Sequence, residues 1–208
     1  MVRAIIFDLD GTIIDNEGLY GKAFCAVSKE LGVSCENVKH TSGIGVYENW
    51  VRMKRDLNLT PDPTELTAAT QKFYLNNLSK IEVRPGFLDT VRYLKEKGIK
   101  ILLSTSNTTD IGQRVLTTLK LDKLFDTMTF GDEVIHKKPA PDLFLRAIEK
   151  VHLRPQEVVI VEDSPSGITA AKNANIKVFA FKTDRFNRIE LSRADQIIEH
   201  FVELKEVF

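Results

Sequence analysis

The sequence predicts an α/β protein: a parallel sheet covered by helices on both faces, with a helical insertion after the first strand. Three observations lead there. Short apolar runs recur along the 208 residues with helical stretches between them, the alternation that βαβ units produce. Two of those runs end in paired acidic residues, Asp8-Leu9-Asp10 and Glu162-Asp163. Between about residues 15 and 80 no convincing strand signal remains, only helical periodicity.

The strands are expected at residues 2–7, 99–103, 128–130, 158–161 and 178–181, and the intervening helices at 86–97, 110–119, 142–151 and 165–173. Pro85-Gly86 and Ser166-Gly167 punctuate helix starts, and Lys97-Gly98 reads as a helix stop before the next strand. Within the insertion, Leu19, Phe24, Val27 and Leu31 fit one apolar helix face, and Trp50, Met53 and Leu57 fit another. Pro61-Asp62-Pro63 breaks the chain before a further helix over 64–78.

Composition excludes several classes. Hydrophobic residues make up 43% and charged residues 28%, enough for a real core in a soluble protein. Lys plus Arg equals Asp plus Glu at 29 each, so no global charge draws the chain to nucleic acid or an anionic membrane. No apolar stretch approaches the roughly 20 residues of a membrane span. The amino terminus enters a strand almost at once, which leaves no room for a signal peptide. Cys25 and Cys35 are too few for a disulfide framework and are expected to be reduced, structural thiols in a cytoplasmic protein. The four tyrosines and Trp50 show no interleaving with basic residues of the kind that binds single strands.

The first strand delivers Asp8 to the carboxyl edge of the sheet, where open α/β sheets place their chemistry. Gly11 lets the backbone turn so that Asp10 returns to the same space. Adjacent carboxylates with a main-chain carbonyl between them suit a magnesium ion, although an acidic Asp-Gly turn is the plainer alternative. Ser104-Thr105-Ser106-Asn107 ends the second core strand and either cradles a phosphate or caps the next helix. Lys138 is held between His136-Lys137 and Pro139-Ala140-Pro141, either as a counter-charge or as part of a solvated basic turn. Glu162-Asp163 repeats the opening pattern, and carboxylates converging on one edge imply a divalent cation, magnesium over zinc. The four histidines lack metal-type spacing, and Arg52-Met53-Lys54-Arg55 reads as the solvated face of a helix or as a substrate clamp.

Asp8-Leu9-Asp10-Gly11-Thr12, Thr105, Lys138-Pro139 and Glu162-Asp163 stand in the order and settings of the haloacid dehalogenase superfamily, which the chain resembles over essentially its whole length. Lys138-Pro139-Ala140-Pro141-Asp142 and Glu162-Asp163-Ser164-Pro165-Ser166-Gly167 are similar to the group of β-phosphoglucomutases and phosphoglycolate phosphatases. The resemblance implies a Rossmann-like core from residues 1–14 and 81–208, with a helical cap domain from 15–80. It implies a magnesium-dependent phosphatase acting through an aspartyl-phosphate. Asp8 is then the nucleophile and Asp10 the general acid and base; Thr105, Ser106 and Asn107 bind phosphate, and Lys138 neutralises charge. Magnesium would lie on Asp8, Asp10 and Asp163, with Glu162 close by or linked through water. Glu17 and Tyr20 are the cap residues expected to meet substrate. The partner is a small phosphate ester, with no nucleic acid and no membrane, and the protein is expected to be a monomer. The mutases carry a cap histidine where Tyr20 stands and a cap arginine near the place of Tyr47. Hydrolysis is therefore expected, a phosphosugar mutase or a non-catalytic binding protein being the alternatives. Asp10 argues against dehalogenation, since true haloacid dehalogenases lack it.

Overall fold

Five of the apolar runs become parallel neighbours in one sheet. In this computed structural model, which describes residues 1–41 and 44–208 without the side chain of Glu17, the strands are β1 (Ala4–Phe7), β4 (Lys100–Ser104), β5 (Thr127–Thr129), β6 (Val158–Glu162) and β7 (Lys177–Phe181). A short edge strand, β8 (Gln196–Ile198), completes the order β5-β4-β1-β6-β7-β8. All neighbours pair in parallel, which puts every carboxyl end on one edge.

Alternation along each strand divides the core. Ile5, Phe7, Leu103, Val161 and Phe179 face one side, where Phe87, Val91, Ile111, Val115 and Phe201 cover them. Ile6, Leu102, Ile160 and Val178 face the other, against Phe144, Ala147, Ile168 and Ala171. The first set of covering residues comes from α4 (Phe87–Glu96), α5 (Thr109–Thr118) and a 3-10 turn at Phe201–Glu206; the second comes from α6 (Asp142–Lys150) and α7 (Pro165–Asn173). Burial on both faces explains why the strands read as continuous apolar runs.

Between the first and second core strands lie α1 (Glu17–Glu30), α2 (Val46–Asp56) and α3 (Pro63–Leu75). The last is shorter than the expected helix over 64–78: Asn76 caps it, and a 3-10 turn at Leu78–Lys80 follows. Its start has a clear cause, with Pro63 in the first turn and the Asp62 side chain accepting the Thr64 amide at 2.8 Å. These helices have an apolar cluster of their own, built from Phe24, Val27, Trp50, Met53 and Leu66. A two-stranded antiparallel ribbon, β2 (Ile14–Asp15) with β3 (Glu82–Val83), ties the two ends of the segment together. The sequence reading missed this ribbon and β8, whose two- and three-residue strands are too short for a period-2 pattern.

One expectation is overturned. Cys25 and Cys35 are joined as a disulfide rather than standing as reduced thiols. The chain turns back after α1, bringing the Cα atoms to 4.9 Å; residue counting and an assumed compartment carried no information about that proximity. Among the described residues no helix is long and apolar enough to cross a membrane.

Candidate active site

The parallel register assembles the site before any side chain is considered. Phe7 pairs with Leu103 on one side and Val161 on the other, so Asp8, Ser104 and Glu162 follow at the same level of the sheet edge. Asp8 is buried and its main-chain amide donates to Val161 O at 3.0 Å. The Lys138 ammonium, also buried, donates to Asp8 Oδ1 and to Glu162 Oε1, the latter at 2.6 Å. The other Glu162 oxygen accepts the Ser164 amide at 2.8 Å and the Ser164 hydroxyl at 3.0 Å. Both oxygens of Glu162 are thus engaged, one by Lys138 and the other by Ser164. Gly167 makes room for this: a β-carbon there would collide with the Glu162 carboxylate. Ser164 also accepts the Gly167 amide at 3.0 Å, which caps α7 and locks the same turn.

Burial dominates the energetics, and charge crowding adds to it. Burial pushes the Asp8 carboxyl up to about 8, with Glu162 and Asp10 adding to the rise and Lys138 opposing it. Burial pulls the Lys138 ammonium the other way, but Asp8 and Glu162 outweigh it and hold Lys138 above the usual lysine range. Asp8, Lys138 and Glu162 are locked together by geometry, as one buried hydrogen-bonded unit.

Asp10 is held differently, by neutral donors. Asn16 Nδ2 donates to its Oδ1, and Asn107 Nδ2 donates to its Oδ2 at 2.7 Å. Thr105 Oγ1 lies 3.4 Å from that second oxygen and accepts the Asn107 amide at 3.2 Å. Asp163 is buried, taking a hydrogen bond from Thr12 Oγ1 at 3.4 Å and an ion pair from Arg185 at 3.0 Å. Gly11, at φ +86°, takes a backbone conformation few other residues adopt; a β-carbon there would collide with Asp163 Oδ2. The Asp163 carboxylate thus lies against the Asp10-Gly11-Thr12 turn.

Above this edge opens a cleft of about 140 Å³. Asp8, Asp10, Ser106, Asn107, Lys138, Glu162 and Asp163 line its floor, while Tyr20, Phe24, His40, Tyr47, Thr67 and Gln71 line its other wall. Ser106 Oγ is buried without a hydrogen-bond partner among the described residues. The Tyr20 hydroxyl donates to Asn107 Oδ1 at 3.2 Å. The side chain of Glu17 lies outside the described residues. Arg52 donates to Thr41 Oγ1 at 2.6 Å and to Asn49 at 3.4 Å, so it braces a loop of the insertion instead of projecting a free clamp. His40 stacks on Phe24, with ring centroids 5.0 Å apart.

Sequence reasoning missed Asn16 as a partner of Asp10, along with Arg185, Arg84 and Tyr74. Arg84 donates to Gly11 O at 2.8 Å and steadies the same turn. For Arg185 a signal existed: Thr183-Asp184-Arg185 follows the carboxyl end of β7 as Asp8 follows β1.

Residues 5–181 match the family model described as haloacid dehalogenase-like hydrolase. A phosphorylated carbohydrates phosphatase from Thermotoga maritima is 32% identical over 184 residues, covering 85% of this chain and 83% of that protein. A phosphoglycolate phosphatase from Aquifex aeolicus is 31% identical over 180 residues, with the same coverage of 85% and 83%. The crystal structure of CbbY from Rhodobacter sphaeroides in complex with phosphate superposes with a TM-score of 0.83 at 26% identity, over 98% of this chain and 96% of that one.

Proposed function

The chain belongs to the haloacid dehalogenase-like hydrolase family, and we propose that, as a phosphoric monoester hydrolase of that family, it cleaves a small phosphorylated metabolite through a phosphoaspartate on Asp8. The observation that carries this reading is the buried Asp8–Lys138–Glu162 cluster facing Asp10 across one cleft. Phosphoryl transfer asks for positioning and charge neutralisation, and this cluster supplies both.

In the first step an Asp8 oxygen attacks phosphorus, the bond to the ester oxygen breaks, and Asp10 donates a proton to the departing alcohol. In the second step Asp10 takes a proton from water as the water oxygen attacks the same phosphorus, which releases inorganic phosphate and restores the Asp8 carboxylate. Lys138 offsets charge on Asp8 and on the phosphoryl oxygens; Ser106 and Asn107, which line the cleft, would hold those oxygens, with Thr105 behind them accepting the Asn107 main-chain amide. Among the described residues no cluster of three or more His, Cys, Asp or Glu side chains forms a metal site. The set proposed here needs only the Asp8 and Asp163 carboxylates and the Asp10 main-chain carbonyl, all hard oxygens beside an excess of negative charge. Those residues fit magnesium, which would neutralise charge on the transferring group.

We take residues 15–80 as a cap and residues 1–14 with 81–208 as the core. Tyr20 stands where the mutases carry their cap histidine, and a phenol does not shuttle protons near neutral pH as an imidazole does. The imidazole that this wall does carry, His40, is stacked on Phe24. Water is therefore the second acceptor. A screen of phosphorylated sugars and short phosphorylated acids with magnesium tests this, with release of inorganic phosphate expected. Conversion of β-glucose 1-phosphate to glucose 6-phosphate in the presence of a bisphosphate primer would overturn hydrolysis in favour of mutase activity.

A further inference from the structure

Asn16 occupies the N-cap position of α1, where its residue type ordinarily satisfies a main-chain amide. Here it makes no side-chain cap bond. Its Nδ2 donates instead to Asp10 Oδ1 and to the Tyr74 hydroxyl, the latter at 2.8 Å, and its Oδ1 is left buried with no partner among the described residues. A local rule is broken at a buried position, and the group that gains is Asp10.

Tyr74 lies near the end of α3, far along the chain from the sheet edge, and is fully buried. Its ring stacks on Tyr20 with centroids 4.2 Å apart and planes 10° from parallel. Tyr20 in turn donates to Asn107, which donates to the second oxygen of Asp10. Two routes therefore run from Tyr74 to Asp10, one through each carboxylate oxygen. The Asn16 route is fully buried, whereas the Asn107 route lines the cleft that substrate must enter.

We propose that Tyr74, acting through Asn16, is a positioning residue that holds Asp10 in its working orientation, so that the third helix of the insertion takes part in turnover without touching substrate. The proposal rests on the reading of Asp10 as acid and base. Asn16 is the fixed partner; Asn107 is the one that gives way when the phosphate ester arrives. Losing the fixed partner frees the carboxylate to rotate and lowers the fraction of molecules in which it faces the ester oxygen.

The test uses the full-length chain with magnesium and p-nitrophenyl phosphate. Wild-type turnover comes first, since its absence would defeat the functional reading itself. Tyr74→Phe keeps the ring and its stacking and removes only the hydroxyl; kcat should fall roughly tenfold with KM within about twofold. Asn16→Ala should lower kcat by at least as much, and adding Tyr74→Phe to it should cost kcat nothing further, because the hydroxyl's proposed effect on Asp10 runs through the missing amide. Tyr20→Phe, Tyr74→Phe and wild type should share an unfolding midpoint to within a few degrees. An active wild type with Tyr74→Phe unchanged in kcat would overturn the proposal, as would full additivity of the two substitutions.

Discussion

The floor and the far wall of the cleft are built on different physical principles. The floor, at the sheet edge, is charged and buried: Asp8, Lys138, Glu162 and Asp163 are each no more than 5% exposed. The wall contributed by the helical insertion is aromatic and polar, with Tyr20, Phe24, His40, Tyr47, Thr67 and Gln71. A floor of this kind can form and break a bond to phosphorus but says little about what carries the phosphate. The wall can sort the remainder of a substrate but offers no group to attack it. Under the proposed function, chemistry and choice thus fall to separate parts of the chain, joined through the two asparagines that hold Asp10.

The sharpest way to break this division is at the floor. Asp8→Asn removes the attacking oxygen and should lower turnover by on the order of 10⁴-fold or more, measured as phosphate release. Residual turnover close to wild type would place the nucleophile elsewhere. Next in size is Lys138→Met, which leaves Asp8 and Glu162 buried without their cation. A loss of about 3–5 kcal/mol in urea unfolding is expected beside the loss of activity; a variant as stable as wild type would mean the pair is not a locked unit. Asp163→Asn should raise the magnesium concentration for half-maximal activity by on the order of tenfold or more while leaving the fold intact. An unchanged magnesium requirement would remove Asp163 from the metal site.

The wall should respond in another way. Gln71→Ala, alone or with Tyr20→Phe, should reorder the preference among phosphorylated sugars and acids while stability shifts by about 1 kcal/mol or less. Equal losses on every substrate would erase the distinction between floor and wall.

That distinction also governs what could be read in advance. Asp8, Asp10 and Glu162-Asp163 each end or follow a buried strand, and Lys138 stands just before Pro139-Ala140-Pro141, so local patterning exposes them. The parallel sheet was legible for the same reason, its strands being apolar on both faces. Asn16 and Tyr74 were hidden because their significance lies in a contact across 58 residues that no local period encodes. Arg185 was passed over because the segment after β7, Lys182-Thr183-Asp184, holds no acidic pair to draw attention. The Cys25–Cys35 bond escaped because it depends on the turn between α1 and the following 3-10 segment, while composition speaks only to compartment.

The central claim, that the floor carries a covalent phosphoryl group on Asp8, is tested most directly by trapping it. With Asp10→Asn, attack by Asp8 on a reactive donor such as acetyl phosphate remains possible, while loss of the base slows hydrolysis roughly 100- to 10,000-fold. Acid quenching followed by peptide mass spectrometry should find the phosphoryl group on the peptide containing Asp8, and the Asp8→Asn, Asp10→Asn double variant should lack it. A wild type that releases phosphate from esters, with no phosphoryl group trapped on Asp8, would contradict the account.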